Sequence, residues 1–285
     1  MTIPAASTPA LQPSPPPKRW TYYVLGIAFL FVLMPFLFWR ATWFGQPLTD
    51  VEVSRALSDS NHPRTTQHAL SQVEAEIRAG DPAARQWYPA IVRLAASPVE
   101  QIRLTSAWVM GQDNHDADFH HALLQMLSDS DSMVARNAAL SLVRFGDDSG
   151  HAQIVAMLRP YALVAPAAGR LRTRLKIGDV VNAGTLAAHI QTPSGARDVR
   201  VVVPGTLSSW TVADKSAVAA NQPIAWIDPA EDMVWEALRA LFLVGAPADL
   251  PDVERYTRPV EGMPAQIQKQ AQLTAEAIRR RTHSP

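Results

Sequence analysis

One internal duplication constrains this chain more than any other feature. Between Val164 and Ile227, Val181 is matched by Val218, Gly184 by Asn221 and Ile190 by Ile227, each 37 residues on. Glycines and valines mark turns and strands throughout: APAAGRL (165–171), KIGDVVNAGTLAAHI (176–190), VVVPGTLSSW (201–210) and KSAVAANQPIAWI (215–227). Each half reads as a small meander whose alternating apolar residues face one core, with Gly178, Gly184 and Gly205 at expected positive-φ turns. The sequence on either side reads instead as short paired helices.

Length and composition leave room for such a mixed architecture. At 285 residues with 47% apolar composition, the chain can build one large or two ordinary cores. Its 26 basic and 26 acidic residues cancel, so no whole-chain field favours nucleic acid. The absence of cysteine removes disulfides, thiolate metal ligands and thiol nucleophiles.

The first seventeen residues hold six prolines, and residues 1–19 are expected to form a disordered tail. Residues 20–39 (WTYYVLGIAFLFVLMPFLFW) carry no charge and would rise about 30 Å as a helix, a bilayer's thickness. Trp20, Tyr22 and Tyr23 at one end, with Phe38, Trp39 and Trp43 at the other, would form aromatic belts. This pattern predicts a single transmembrane helix with Pro35 in its last turn. Lys18 and Arg19 before it, against Arg40 after it, place the N-terminus in the cytoplasm and the body in the periplasm of a bacterial inner membrane.

From 48 to 161 apolar residues recur at three- and four-residue spacing in segments 64–79, 83–96, 99–110, 117–128 and 132–145. The breaks hold cap and turn residues: Gly80-Asp81-Pro82, Ser97-Pro98, Gly111 through Asp116 and Ser128 through Asp131. Two units end Ala-rich helices on Gly111 and Gly146, 35 residues apart, a period typical of a helical solenoid. Val134, Ala138 and Leu142 form a predicted buried stripe, and Arg136, Asn137 and Arg144 are expected to stabilise turns between repeats. Helical patterning returns over 229–285, where EALRALFLVG (236–245) parallels NAALSLVRFG (137–146) and gives Gly245 the role of Gly146. A last helix, 264–281, ends on Arg279-Arg280-Arg281, cations suited to a helix C-terminus.

The lettering at Asp131, Val134, Arg136, Ala138, Ala139 and Leu140 resembles HEAT repeats, including those of bilin-lyase-like proteins. In that family valine and arginine are usually adjacent, whereas here Ala135 intervenes. Residues 162–228 resemble the barrel-sandwich domain of biotinyl and lipoyl carriers and of HlyD-type periplasmic adaptors. A carrier would place a modifiable lysine in the hairpin joining the halves, but QTPSGARDV (191–199) has none, and Lys215 falls at a turn of the second half. An adaptor would insert a long coiled coil there, and nine residues reach only about 30 Å. The resemblances imply an α+β fold: a transmembrane helix, then a HEAT-like array interrupted by a barrel-sandwich domain.

Few residues ask for chemistry. His115, His120 and His121 lie near Asp113, Asp116 and Asp118, residue types that can hold zinc. Adjacent His120 and His121, however, diverge by about 100° on a helix, so no metal or other cofactor is expected. Trp87, Tyr88 and Trp108 could anchor a partner or fill a core. No nucleophile–base lettering or phosphate loop is present. The expected function is a non-catalytic, membrane-anchored scaffold or assembly factor that binds an integral membrane complex and no nucleic acid. The alternatives are a truncated HlyD-like adaptor of an export system and, least favoured, an enzyme related to bilin lyases.

Overall fold

The computed structural model describes residues 18–41, 47–59 and 61–283, with side chains described from 22 to 37 in the first helix and to 281 in the last. The expected disordered tail lies outside these residues, apart from its last two positions. Residues 1–49 and 50–285 form separate units. Among its described residues the first contains one helix, α1 (Lys18–Ala41). Among the described residues no helix is long and apolar enough to cross a membrane, which corrects the expected transmembrane helix over 20–39. The inner-membrane placement and the cytoplasmic-to-periplasmic orientation lose their basis with it.

The second unit is α+β. Its helices are α2 (Asp50–Ser58), α3 (Pro63–Ala79), α4 (Tyr88–Leu94), α5 (Glu100–Met110), α6 (Ala117–Met126), α7 (Ser132–Arg144) and α8 (His151–Ala156). After eight strands come α9 (Glu231–Val244), α10 (Leu250–Glu254) and α11 (Ala265–His283). The helix expected over 83–96 instead begins as a 3-10 turn, Pro82–Trp87, and continues as α4. Pro89 has no N–H to continue the earlier turn, so the helix restarts around it. Val134, Ala138 and Leu142 are fully buried, as their spacing predicts. The Asp131 carboxylate caps α7 by accepting from the Met133 and Val134 N–H groups.

Helices α3, α5, α7, α9 and α11 pack each on the next. Buried hydroxyls fasten several seams. Thr66 Oγ1 of α3 donates to Ala56 O of α2 at 3.0 Å, and Ser141 Oγ of α7 to Ala107 O of α5 at 2.8 Å. Thr274 Oγ1 of α11 donates to Leu238 O of α9 at 2.8 Å. A Cβ on Gly111 would fall 2.5 Å from Ser141 Oγ, so a glycine there admits α7. Arg103 grips Asp129 through two bonds of 2.7 and 2.8 Å and also donates to Ser97 O, joining α5 to the loop before α7. Gly245 does not repeat the left-handed turn of Gly146. Its φ is −62°, and what it supplies is room beside Leu241 O and Ile278.

The strands are β1 (Tyr161–Val164), β2 (Gly169–Thr173), β3 (Val180–Val181), β4 (Leu186–Thr192), β5 (Gly195–Arg200), β6 (Gly205–Trp210), β7 (Ala217–Val218) and β8 (Pro223–Pro229). They form two antiparallel sheets, ordered β1-β8-β6-β3 and β5-β4-β2-β7, around one core that includes Leu171, Ile190, Leu207 and Ile227. Each sheet takes two strands from each half of the duplication, so neither half can complete a sheet alone. The halves repeat bond for bond: Gly178 N donates to Leu207 O, and Lys215 N to Leu171 O. Gly184 N donates to Val201 O, and Asn221 N to Ala165 O.

Gly178 and Gly184 have φ of +91° and +85°, and their counterparts Lys215 and Asn221 adopt +68° and +61°. Gly205 departs from the expectation of positive φ. A Cβ there would overlap Asp228 O and Ile227, just as one on Gly169 would overlap Gln191 O and Ile190, so both glycines serve close strand approach. Gly205→Ala is expected to cost about 1–3 kcal/mol, as overpacking does, and urea unfolding measures it directly.

The Arg103 pair carries a pH signature. Hydrogen bonding from Arg103 holds the Asp129 carboxyl below its ordinary range. The pair's contribution is therefore present above the unfolded value of about 3.9 and is lost as pH falls through the lower folded value. The stability gap between wild type and Arg103→Ala should be constant above about pH 5 and narrow below about pH 4 in acid titrations of unfolding.

Candidate functional site

The stacked helices line a groove of about 420 Å³, with walls from α5, α7, α9 and α11. Its apolar surface comes from Trp108, Leu140, Phe242, Leu243 and Leu273. Trp108, Phe242, Leu243 and Leu273 are 43%, 40%, 61% and 45% exposed, which marks a surface patch distinct from the core. Arg144, Glu236 and Arg239 add charge to the same walls.

Local helix chemistry produces this exposure. On α9, Met233, Val234, Ala237, Leu238 and Leu241 turn inward at three- and four-residue spacing, leaving Glu236, Arg239, Phe242 and Leu243 outside. The run Ala240–Val244 is five consecutive apolar residues, more than one buried stripe can absorb. That run was the sequence signal for Phe242 and Leu243, which the reading of residue patterns missed.

Trp108 is held from two sides. Its Nε1–H donates to Glu74 Oε1 of α3 at 3.1 Å, and Glu74 also lies 3.7 Å from Arg78. The Arg144 guanidinium sits over the indole at 5.6 Å from its centroid, a cation–π contact across to α7. Asn114 donates to Arg144 O at 2.7 Å, closing the turn that follows α5 onto the end of α7. An exposed tryptophan in one orientation has already lost the rotamer freedom that binding would otherwise remove.

Trp87 and Tyr88, grouped with Trp108 as partner anchors, are instead each only 8% exposed. Tyr88 packs on Phe119 with ring centroids 4.3 Å apart, and its hydroxyl donates to Asp113 Oδ2 at 2.9 Å. Burial and that bond push the Tyr88 phenol well above its ordinary value. Burial alone would raise Asp113, but hydrogen bonds from His115 N–H and Tyr88 outweigh it and hold the carboxyl low. Both aromatics therefore belong to the core.

The three histidines diverge. His120 Nε2 lies 2.6 Å from Asp147 Oδ2, His121 Nε2 meets Gln125 Nε2 at 3.0 Å, and His115 faces Asp113 at 3.5 Å with its side chain largely exposed. Among the described residues no group of three or more His, Asp or Glu side chains could hold a metal ion. Within the groove the hydroxyl of Ser141 is already committed to Ala107 O. What the walls offer is apolar area, an anchored indole and guanidinium groups.

No protein-family model matches the chain, and no curated protein does. The burial of the aromatics makes a measurable claim. Trp87→Ala is expected to cost about 3–5 kcal/mol, as large-to-small changes in a core do, and Trp108→Ala less than half of that. Chemical denaturation of the two variants tests the assignment.

Proposed function

We propose that this protein is a non-catalytic scaffold that docks a protein partner, or one subunit of a protein complex, in the groove between α5 and α11. The observation that carries the reading is Trp108, half exposed yet fixed by Glu74 and Arg144, with Phe242, Leu243 and Leu273 in the same groove. Interface energy concentrates in such anchored aromatics surrounded by apolar contacts. The HEAT-like reading is supported by the regular offset of the helix contacts. Gln67 meets Gln101, Glu74 meets Trp108 and Ala107 meets Ser141, each pair 34 residues apart. Helical repeats of this kind present extended surfaces to protein partners. The exchange of strands between duplicated halves supports the barrel-sandwich reading of the β-module.

A second reading, self-association through the β-module in the manner of an adaptor, is favoured by Val164, Val180 and Trp226 on the sheet β1-β8-β6-β3. They are 38%, 81% and 39% exposed. Sedimentation of the purified chain separates the two, because a large homo-oligomer supports the adaptor and a monomer the scaffold. For the scaffold, the double variant Trp108→Ala/Leu243→Asp should reduce partner recovery at native expression by about tenfold or more while unfolding normally. Equal recovery by the folded variant, or wild type recovered alone, overturns the proposal.

A further inference from the structure

The duplication supplies an internal control for the surface of the β-module. Strands β2 and β6 occupy equivalent places, as do β4 and β8, and β5 and β1. The outer face of sheet β1-β8-β6-β3 carries Thr206, Ser208, Trp226, Ala162 and Val164. The matching positions of sheet β5-β4-β2-β7 are Arg170, Arg172, His189, Asp198 and Arg200. Strands β1, β3, β6 and β8 hold no Lys or Arg at all, whereas β2 and β5 hold four arginines, with Arg174 just after β2.

Folding does not require those charges, because the same fold positions are neutral in the twin sheet. Edge protection does not require them either, since β1 is also an edge strand and has none. Asp198 accepts from Arg200 at 2.7 Å and meets His189 Nδ1 at 2.9 Å, and Arg174 lies 3.4 Å from His189. The Arg170 side chain on this face makes no hydrogen bond or ion pair among the described residues, while Arg197, opposite buried Ile190, has the inward parity of β5. The face thus carries more guanidinium than the one carboxylate on its strands can match.

We propose that the outer face of sheet β5-β4-β2-β7 is a docking surface for an acidic segment of a protein partner, separate from the apolar groove. The residues are arginines, whose planar forks pair with carboxylates through two parallel bonds. The face already holds one carboxylate, Asp198, through a single bond from Arg200 and a contact with His189. Its outer positions carry no Phe, Tyr or Trp on which a nucleobase could stack, unlike single-strand nucleic-acid platforms.

The twin sheet also dictates the test. Arg170→Thr/Arg172→Ser gives β2 the residues of β6, a pattern this fold demonstrably accommodates. The full-length protein is titrated with a fluorescent sixteen-residue polyglutamate, a matching polylysine and a short DNA duplex. Polyglutamate should bind best, and the double variant should weaken it about tenfold. The control Arg258→Gln/Lys269→Gln, which removes the same formal charge elsewhere, should not. Circular dichroism and thermal unfolding check that both variants remain folded. Unchanged polyglutamate binding by the folded β2 variant, equal weakening by the control, or tighter binding of the duplex overturns the proposal. None of these outcomes bears on the groove variants, so the two readings fail independently.

Discussion

Tyr256 is 2% exposed and donates its hydroxyl to Leu158 O at 2.8 Å, joining residues 98 positions apart. Beside it His151 Nε2 meets Asp249 Oδ2 at 2.8 Å, and Arg159 grips Asp252 through bonds of 2.8 and 2.6 Å. These contacts clamp the end of α8 to the segment around α10, across the whole β-module. They depend on one core: Ile154, Val155, Met157 and Leu158 share it with Val234, Leu238, Leu241, Tyr256, Ala271 and Ile278. Without that closure α9 and α11 would have no apolar surface to complete, and the groove would lose two of its four walls. A buried tyrosine hydroxyl left unpaired would carry a penalty of about 1–3 kcal/mol, so the bond also selects this arrangement against looser ones.

The β-module follows a different logic. Its core is separate, and its order comes from exchange, since each half supplies the edge strands of one sheet and the centre strands of the other. This explains why the duplication was readable from a few letters. Positions such as Gly184 and Asn221 must adopt the same left-handed backbone at the same place, and few residue types accept it. Lys215 was the harder case. A lysine at φ +68° is unusual, and only alignment with Gly178 identifies its turn as a structural position. Gly205 was misread because a strand glycine required for close approach looks, in sequence, the same as a turn glycine.

The helical array was legible to within a turn, because its stripes and caps are local signals. The 3-10 entry to α4 was not, because Pro89 ends one hydrogen-bond pattern without ending the apolar periodicity. The candidate site was less legible still. Trp87, Tyr88 and Trp108 look alike in sequence, and what separates them is which neighbour faces each ring. Tyr88 meets Phe119, thirty-one positions on, whereas Trp108 meets Glu74 and Arg144 on two other helices. The histidine cluster was local in sequence and dispersed in space, each ring taken by a different neighbour.

The groove's position follows from how the seams are made. The seams α2–α3, α5–α7 and α9–α11 each hold a buried hydroxyl bonded to a carbonyl of the neighbouring helix. Among the described residues no hydrogen bond joins α7 to α9, where the array resumes after the β-module. That seam rests on apolar contact, with Ala139 and Val143 sharing a core with Ala237, Ala240 and Leu241. Apolar contact lacks the directionality of a hydrogen bond, so it fixes the pairing of the two helices less tightly than a polar seam would. Their C-terminal ends, bearing Leu140, Arg144, Phe242 and Leu243, form the middle of the groove. The seam at which the helical array resumes after the β-module thus lacks a polar lock, and the exposed apolar surface lies beside it.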